Sequence, residues 1–178
     1  HAHAITLLDK EARFKHISQP EKPVLIYLLG NLQNIQSVGA VTNGLEDHYD
    51  THVLELPGTG DTSPLAPHIS LVELAQYLSD YVRQMKIDYF HLHATSYSTG
   101  IALEYAKTNS EKIAGITLAT PAFSMPSSSI SDSLDLVTTC TKDKKAFAQG
   151  YLNLLTDQTD RIPNQQRIRN AAIRLSSR

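Results

Sequence analysis

Four short apolar runs, separated by text with helical periodicity, constrain the fold of this chain more than any other feature. They are PVLIYLLGN (23–31), THVLELPGTG (51–60), DYFHLHA (88–94) and KIAGITLATPAF (112–123). Each is too short for an ordinary helix, and three of the four run into Gly or Pro, as strands buried on both faces of a sheet do. Between the second and third runs, SLVELAQYLSDYVRQMK places Leu71, Leu74, Leu78, Tyr81, Val82 and Met85 at spacings of three and four. That pattern predicts an amphipathic helix with Ser70 as its N-cap and Glu73 at the capping-box position. TGIALEYAKTN supplies a second helix after the third run, and the loop LQNIQS leads into a helix reaching His48. Parallel strands need crossover connections, which are usually helical, so the rhythm predicts a mostly parallel sheet with helices on both faces. The fold class is α/β. Upstream, the alternation from Ala12 to Ile17 adds a strand or hairpin.

After Phe123 the texture changes. SMPSSSISDS reads as an exposed linker, and residues 134–178 carry helical patterning broken at Pro163. We therefore divide the chain into an α/β core, 1–123, and a helical cap or lid, 124–178. With 178 residues, 41% of them hydrophobic, there is material for one ordinary core.

The net charge is −2 and the isoelectric point is near 6.5. With no Lys/Arg run, this argues against nucleic-acid or anionic-membrane binding, which needs a concentrated positive field. No apolar run approaches the roughly 20 residues that cross a bilayer. The single Cys140 excludes an internal disulfide and a zinc site of several thiolates, and fits a cytoplasmic protein. The opening HAHA reads as the scar of an expression tag and is set aside from site reasoning.

In an open α/β sheet ligands gather at the carboxyl ends of the strands, so the turns after the four runs should meet at one crevice. One of them, ATSYSTGIALEYA (94–106), holds two serines with small residues two positions to either side. A serine on a sharp strand-to-helix turn presents an exposed hydroxyl if its flanking residues let the backbone pack. Ser96 satisfies this between Ala94 and Ser98, and Ser98 satisfies it between Ser96 and Gly100. On this rule alone both registers stay open. Ser96 has a bland alternative as a helix N-cap.

These residues resemble the α/β-hydrolase superfamily, in which an elbow serine is followed by two small residues and a helix of IALEYA-like text. Aligned on that text, the resemblance implies Ser96 as the elbow serine and leaves Ser98 the runner-up, since Ser98 would shift the helix by two residues, a rotation of about 200° that turns its apolar face outward. The likeness runs over about residues 22–123. LELPGTGDTS is similar to a turn of that family, and KPVLIYLLGN to the strand whose turn supplies an oxyanion-hole amide, with Leu29-Gly30 where the family usually has His-Gly. The resemblance implies an acyl-enzyme mechanism on an ester or thioester, with Ser96 as nucleophile and the backbone amides of Asn31 and Tyr97 as the oxyanion hole. Ala94 and Ser98 stand where the family's elbow has glycines.

The resemblance also implies a triad in the order Ser, acid, His. No His follows His93, and Thr120-Pro121-Ala122 offers no acid after the fourth run. We therefore expect a chain truncated before its triad is complete, inactive by itself, with an exposed sheet edge that favours a homodimer. Weaker likenesses, among them LATPAF and YLNLLTDQTDRIPNQQRIRN, are similar to acyltransferases that join 3-hydroxyacyl chains from acyl carrier protein in making rhamnolipid precursors. An acyl carrier protein is accordingly a candidate partner of the Arg-bearing tail. The other class of reading is a non-catalytic binding module for an acyl ligand or protein partner. His91 and His93 share one strand face, but packed imidazoles are the commoner outcome, so no metal is expected there. No cofactor is expected either, because Ser63 stands where a dinucleotide fingerprint has its third glycine.

Overall fold

The computed structural model describes residues 1–30, 33–65 and 69–121, with 142, 143, 145, 146 and 149 beyond them. The chain divides into two compact units, His1–Phe123 and Ser124–Arg178. The expected cap thus lies almost wholly outside the described residues. Within it, Asp143 accepts hydrogen bonds from the backbone of Lys145 and Ala146 at 2.9 and 3.0 Å.

In the first unit, strand β1 (His3–Leu7) and strand β2 (Lys10–Ile17) form an antiparallel hairpin. Its two turn residues, Leu8 and Asp9, have φ of 47° and 63°, the left-handed pair that matches the natural twist of a two-residue hairpin. Strand β3 (Val24–Leu28), β4 (Asp50–Leu54), β5 (Phe90–Thr95) and β6 (Ile113–Ala119) run parallel, and β2 joins them antiparallel to β4. The sheet order is β1-β2-β4-β3-β5-β6. Helices α1 (Gly39–Asn43), α2 (Leu71–Gln84) and α3 (Ser98–Asn109) connect the parallel strands.

Strand residues alternate between faces. Ile26, Leu28, Leu54, Phe90, Leu92 and Ala94 meet Leu74, Leu78 and Tyr81 of α2 and Ile101 and Tyr105 of α3 in the main core. Tyr27, Leu29 and Val53 face the other way and pack with Ile35 and Val38, on the segment leading into α1. Both faces of β3 and β4 are therefore buried, which explains their unbroken apolar text. The helix expected to reach His48 stops at Asn43. Thr42 is its one buried residue and Gly44 follows it, so little apolar contact holds the helix beyond its first turn.

Helix α2 begins as its sequence predicts. Ser70 accepts from the Glu73 N–H at 3.2 Å, and the Glu73 carboxylate accepts from the Ser70 N–H at 2.8 Å. On its buried side, Tyr81 reaches His52 of β4, hydroxyl to Nδ1, at 2.8 Å. Burial, with the neighbouring His16 imidazole, pushes His52 down to about 4.

Candidate functional site

The β5-to-α3 connection has only Ser96 and Tyr97 between the last strand residue, Thr95, and the first helical residue, Ser98. So short a reversal cannot be made from ordinary backbone alone, and Ser96 takes a φ of 52°. That region disfavours a residue with a Cβ and is met chiefly where surrounding structure enforces it. Here the enforcement is visible. The Ser96 N–H donates to the Ala119 carbonyl at the end of β6 at 2.9 Å, and the Ser96 carbonyl accepts from the Thr99 N–H and hydroxyl at 3.0 and 2.6 Å. The Ser96 side chain is half-buried and Tyr97 is exposed.

Ser98 has the opposite environment. It is fully buried, and its hydroxyl accepts from the Thr95 N–H at 2.9 Å while donating toward the Thr95 carbonyl at 3.1 Å, with the Leu28 carbonyl 3.4 Å away. Its Cβ is accommodated, and its oxygen fastens the turn that a glycine would leave bare. Gly100, which completed the alternative serine pattern, lies in α3. A Cβ there would stand 3.3 Å from Leu71 Cδ2, so this glycine lets α3 approach the start of α2.

Three further features converge on the same end of the sheet. Tyr97 N–H is among the first amides of α3, which have no acceptor within the helix. Gly30, after β3, approaches the elbow so closely that a Cβ would lie 3.2 Å from the Thr95 carbonyl oxygen. Its N–H is held by the Gln33 side chain at 2.7 Å. Asn31, the other expected oxyanion-hole residue, lies outside the described residues, as does His68. Leu29, where the resembling family has His, is fully buried in the second core.

The third turn carries a residue whose role the sequence did not announce. Glu55 is only 2% exposed and forms no ion pair with a cation among the described residues. Its carboxylate accepts from the Ile35 N–H at 3.1 Å, the Asp61 N–H at 3.0 Å and the Thr62 hydroxyl at 3.2 Å. Burial pushes the Glu55 carboxyl above its ordinary range, against the pull of those donors. One side chain thereby fixes the LPGTG turn to the segment that follows β3. Gly60, at φ 54°, has no room for a side chain: a Cβ would fall 2.1 Å from Glu55 Oε1. The available signal was an acid inside an otherwise apolar strand end, LEL.

His91 and His93 share a face of β5, as their spacing requires, and each packs on an aromatic ring. His93 stacks on Tyr27 with centroids 4.2 Å apart and bonds the Thr95 hydroxyl at 3.0 Å, while His91 meets Tyr49 edge-on at 5.6 Å. Burial pushes His93 below its ordinary value.

A family profile described as the alpha/beta hydrolase fold matches residues 23–156, three-quarters of the chain. The chain belongs to the α/β-hydrolase fold family. Among solved structures it is similar to a carboxylesterase from Bacillus subtilis, with TM-score 0.82, 17% identity, and coverage of 97% of this chain and 60% of that one. An esterase from Exiguobacterium antarcticum gives TM-score 0.82 at 17% identity, over 99% of this chain and 70% of that one. A haloalkane dehalogenase from Bradyrhizobium elkani gives 0.77 at 15%, over 99% and 67%. Such identities speak to the fold alone, and the chain spans about three-fifths to seven-tenths of the length of these α/β-hydrolase structures. No curated protein matches it by sequence. No helix among the described residues is long and apolar enough to cross a membrane.

Proposed function

We propose that the chain carries the nucleophile and oxyanion hole of an enzyme that cleaves or transfers acyl groups from esters or thioesters. Ser96 Oγ attacks the carbonyl carbon. The Tyr97 and Asn31 amides hold the oxyanion of the tetrahedral intermediate, and collapse of that intermediate expels the alcohol or thiol and leaves an acyl-Ser96 ester. Water completes hydrolysis, or an acceptor nucleophile completes transfer. A hydroxyl is a weak nucleophile until a base takes its proton. We assign the base and its orienting acid to a His and a carboxylate within the part of the fold that the matched structures possess beyond the length spanned here.

The observation that carries this reading is the contrast at the elbow. The serine with φ 52° stands half-exposed on a two-residue turn, while the serine two positions later is buried and bonded to backbone. Strain of this kind gathers at functional sites, and helix-start amides beside it suit a developing oxyanion. Gly30 brings the turn that leads to Asn31 against Thr95.

The test is fluorophosphonate labelling of the full-length protein, with the adduct located by mass spectrometry. The expected adduct is on Ser96, absent in Ser96→Ala and retained in Ser98→Ala. Labelling that survives Ser96→Ala and disappears in Ser98→Ala overturns the assignment. The second reading is a binding module that holds an acyl ligand without turning it over. A full-length protein inert to the probe that still binds fatty acids would support that reading instead.

A further inference from the structure

A second group of chemically capable side chains lies at the other end of the sheet. Asp50 is the first residue of β4 and pairs with Val24, the first of β3, so it marks the amino end of the parallel strands, whereas Ser96 follows the carboxyl end of β5. Asp50 and His52 are two apart on one strand and share a face. The antiparallel register sets His16 of β2 directly across from His52. Three potential ligands from two strands therefore meet: His16 Nε2 lies 2.7 Å from Asp50 Oδ1, His52 Nε2 lies 3.7 Å from Asp50 Oδ2, and one ligand atom from each residue falls within 4.8 Å of the others.

We infer that His16, Asp50 and His52 form a binding site for one divalent transition-metal cation, with zinc the ion that two imidazoles and a carboxylate suit best. Ligands of a tetrahedral zinc ion at about 2.1 Å stand roughly 3.4 Å apart. The two separations from the carboxylate bracket that value, and the His16 and His52 rings, now stacked with centroids 4.1 Å apart and planes 23° from parallel, must turn out of the stack to aim both Nε2 atoms at one ion. The supporting bonds are in place. His52 Nδ1 lies 2.8 Å from the Tyr81 hydroxyl, a partner that in the tautomer with hydrogen on Nδ1 accepts it and leaves Nε2 free to ligate, and the Gln19 N–H holds Asp50 Oδ1 at 2.7 Å, which leaves Oδ2 toward the ion. Burial is graded: the His52 side chain is 4% exposed, Asp50 13% and His16 28%, so solvent reaches the site past His16. On binding, His16 Nε2 exchanges its hydrogen bond to Asp50 for a bond to the metal. The proton between them moves to Nδ1 of the same ring or to solvent. The bound ion would tie β2 to β4, where the antiparallel hairpin joins the parallel sheet, far from the elbow.

The experiment is calorimetric titration of chelator-treated protein with Zn2+, paired with titration by Co2+ read through its visible absorption. It is done in a His1→Ala, His3→Ala background, so that the N-terminal histidines contribute nothing. One equivalent of each metal is expected to bind, with a cobalt spectrum of imidazole–carboxylate ligation. His16→Ala and Asp50→Asn should each weaken binding by about 100-fold or more. His16 is the most exposed of the three, and Asp50→Asn preserves shape, so circular dichroism should find both variants folded. Failure of the background protein to bind either ion, or binding unchanged in both variants, overturns the proposal and leaves the cluster as a hydrogen-bonded brace.

Discussion

Two strand-to-helix connections at the carboxyl end of this sheet, leaving the strands on either side of β3, solve the same problem differently. From β4 to α2 the chain takes a long route, Glu55 to Ser70, and puts its left-handed residues on Gly58 and Gly60, at φ 78° and 54°. It then enters the helix through an extended serine whose side chain caps it. From β5 to α3 it takes two residues, and the left-handed conformation falls on a serine, with no side-chain cap on the helix. Where the backbone merely has to turn, glycine does so without strain. Where the turn also displays a hydroxyl, a residue with a Cβ is held in place by hydrogen bonds to β6 and α3.

The largest expected effect tests what that held serine is for. In the full-length protein Ser96→Ala should lower ester or thioester turnover by at least about 10⁴-fold, measured with an acyl-nitrophenol substrate. Ser96→Gly should do the same while changing stability by less than about 1 kcal/mol, because glycine accepts this φ. Next comes the glycine on the long route. Gly60→Ala combines a left-handed φ with a clash against a carboxylate that three hydrogen bonds hold still, and should cost about 3 kcal/mol in urea unfolding.

Ser98→Ala should cost about 2 kcal/mol, since it strips the Thr95 N–H of its acceptor in the core, yet it should keep labelling at Ser96. The smallest effect belongs to the other helix start, where Ser70→Ala should cost about 1 kcal/mol and leave labelling untouched. The Ser70 cap should also respond to acid. The backbone and hydroxyl bonds from Ser70 hold the Glu73 carboxyl below its ordinary value of 4.5. The contribution of that carboxylate is therefore complete above about pH 4.5 and lost as pH falls through the lowered value. Thermal unfolding from pH 6 to pH 3 should show that loss in the wild type and a weaker one in Ser70→Ala.

Much of this was legible in the text. The apolar runs became β3 to β6, and the capping box at Ser70 and Glu73 formed. Each rests on interactions within a few residues of one another or on a face repeated along one element, which a sequence displays directly. What it hid was every role that depends on a distant partner. Ser98 looked like a defective glycine and proved to be a buried fastener of the turn. Glu55 stood in the LELPGTG likeness with no role attached, and its partners come from Ile35, Asp61 and Thr62.

By itself the sequence determined the order and type of the parallel strands and of α2 and α3, and the capping of α2, because period and local hydrogen bonding set those. Only the tertiary structure decided which polar side chains are buried and which ones meet. The strand order β2-β4-β3-β5 and the pairing of His16 with His52 bring together residues more than thirty positions apart. The close packing of the turns leaves Gly60 no space beside Glu55. Those contacts follow from how the sheet is assembled, and no local pattern in the chain encodes them.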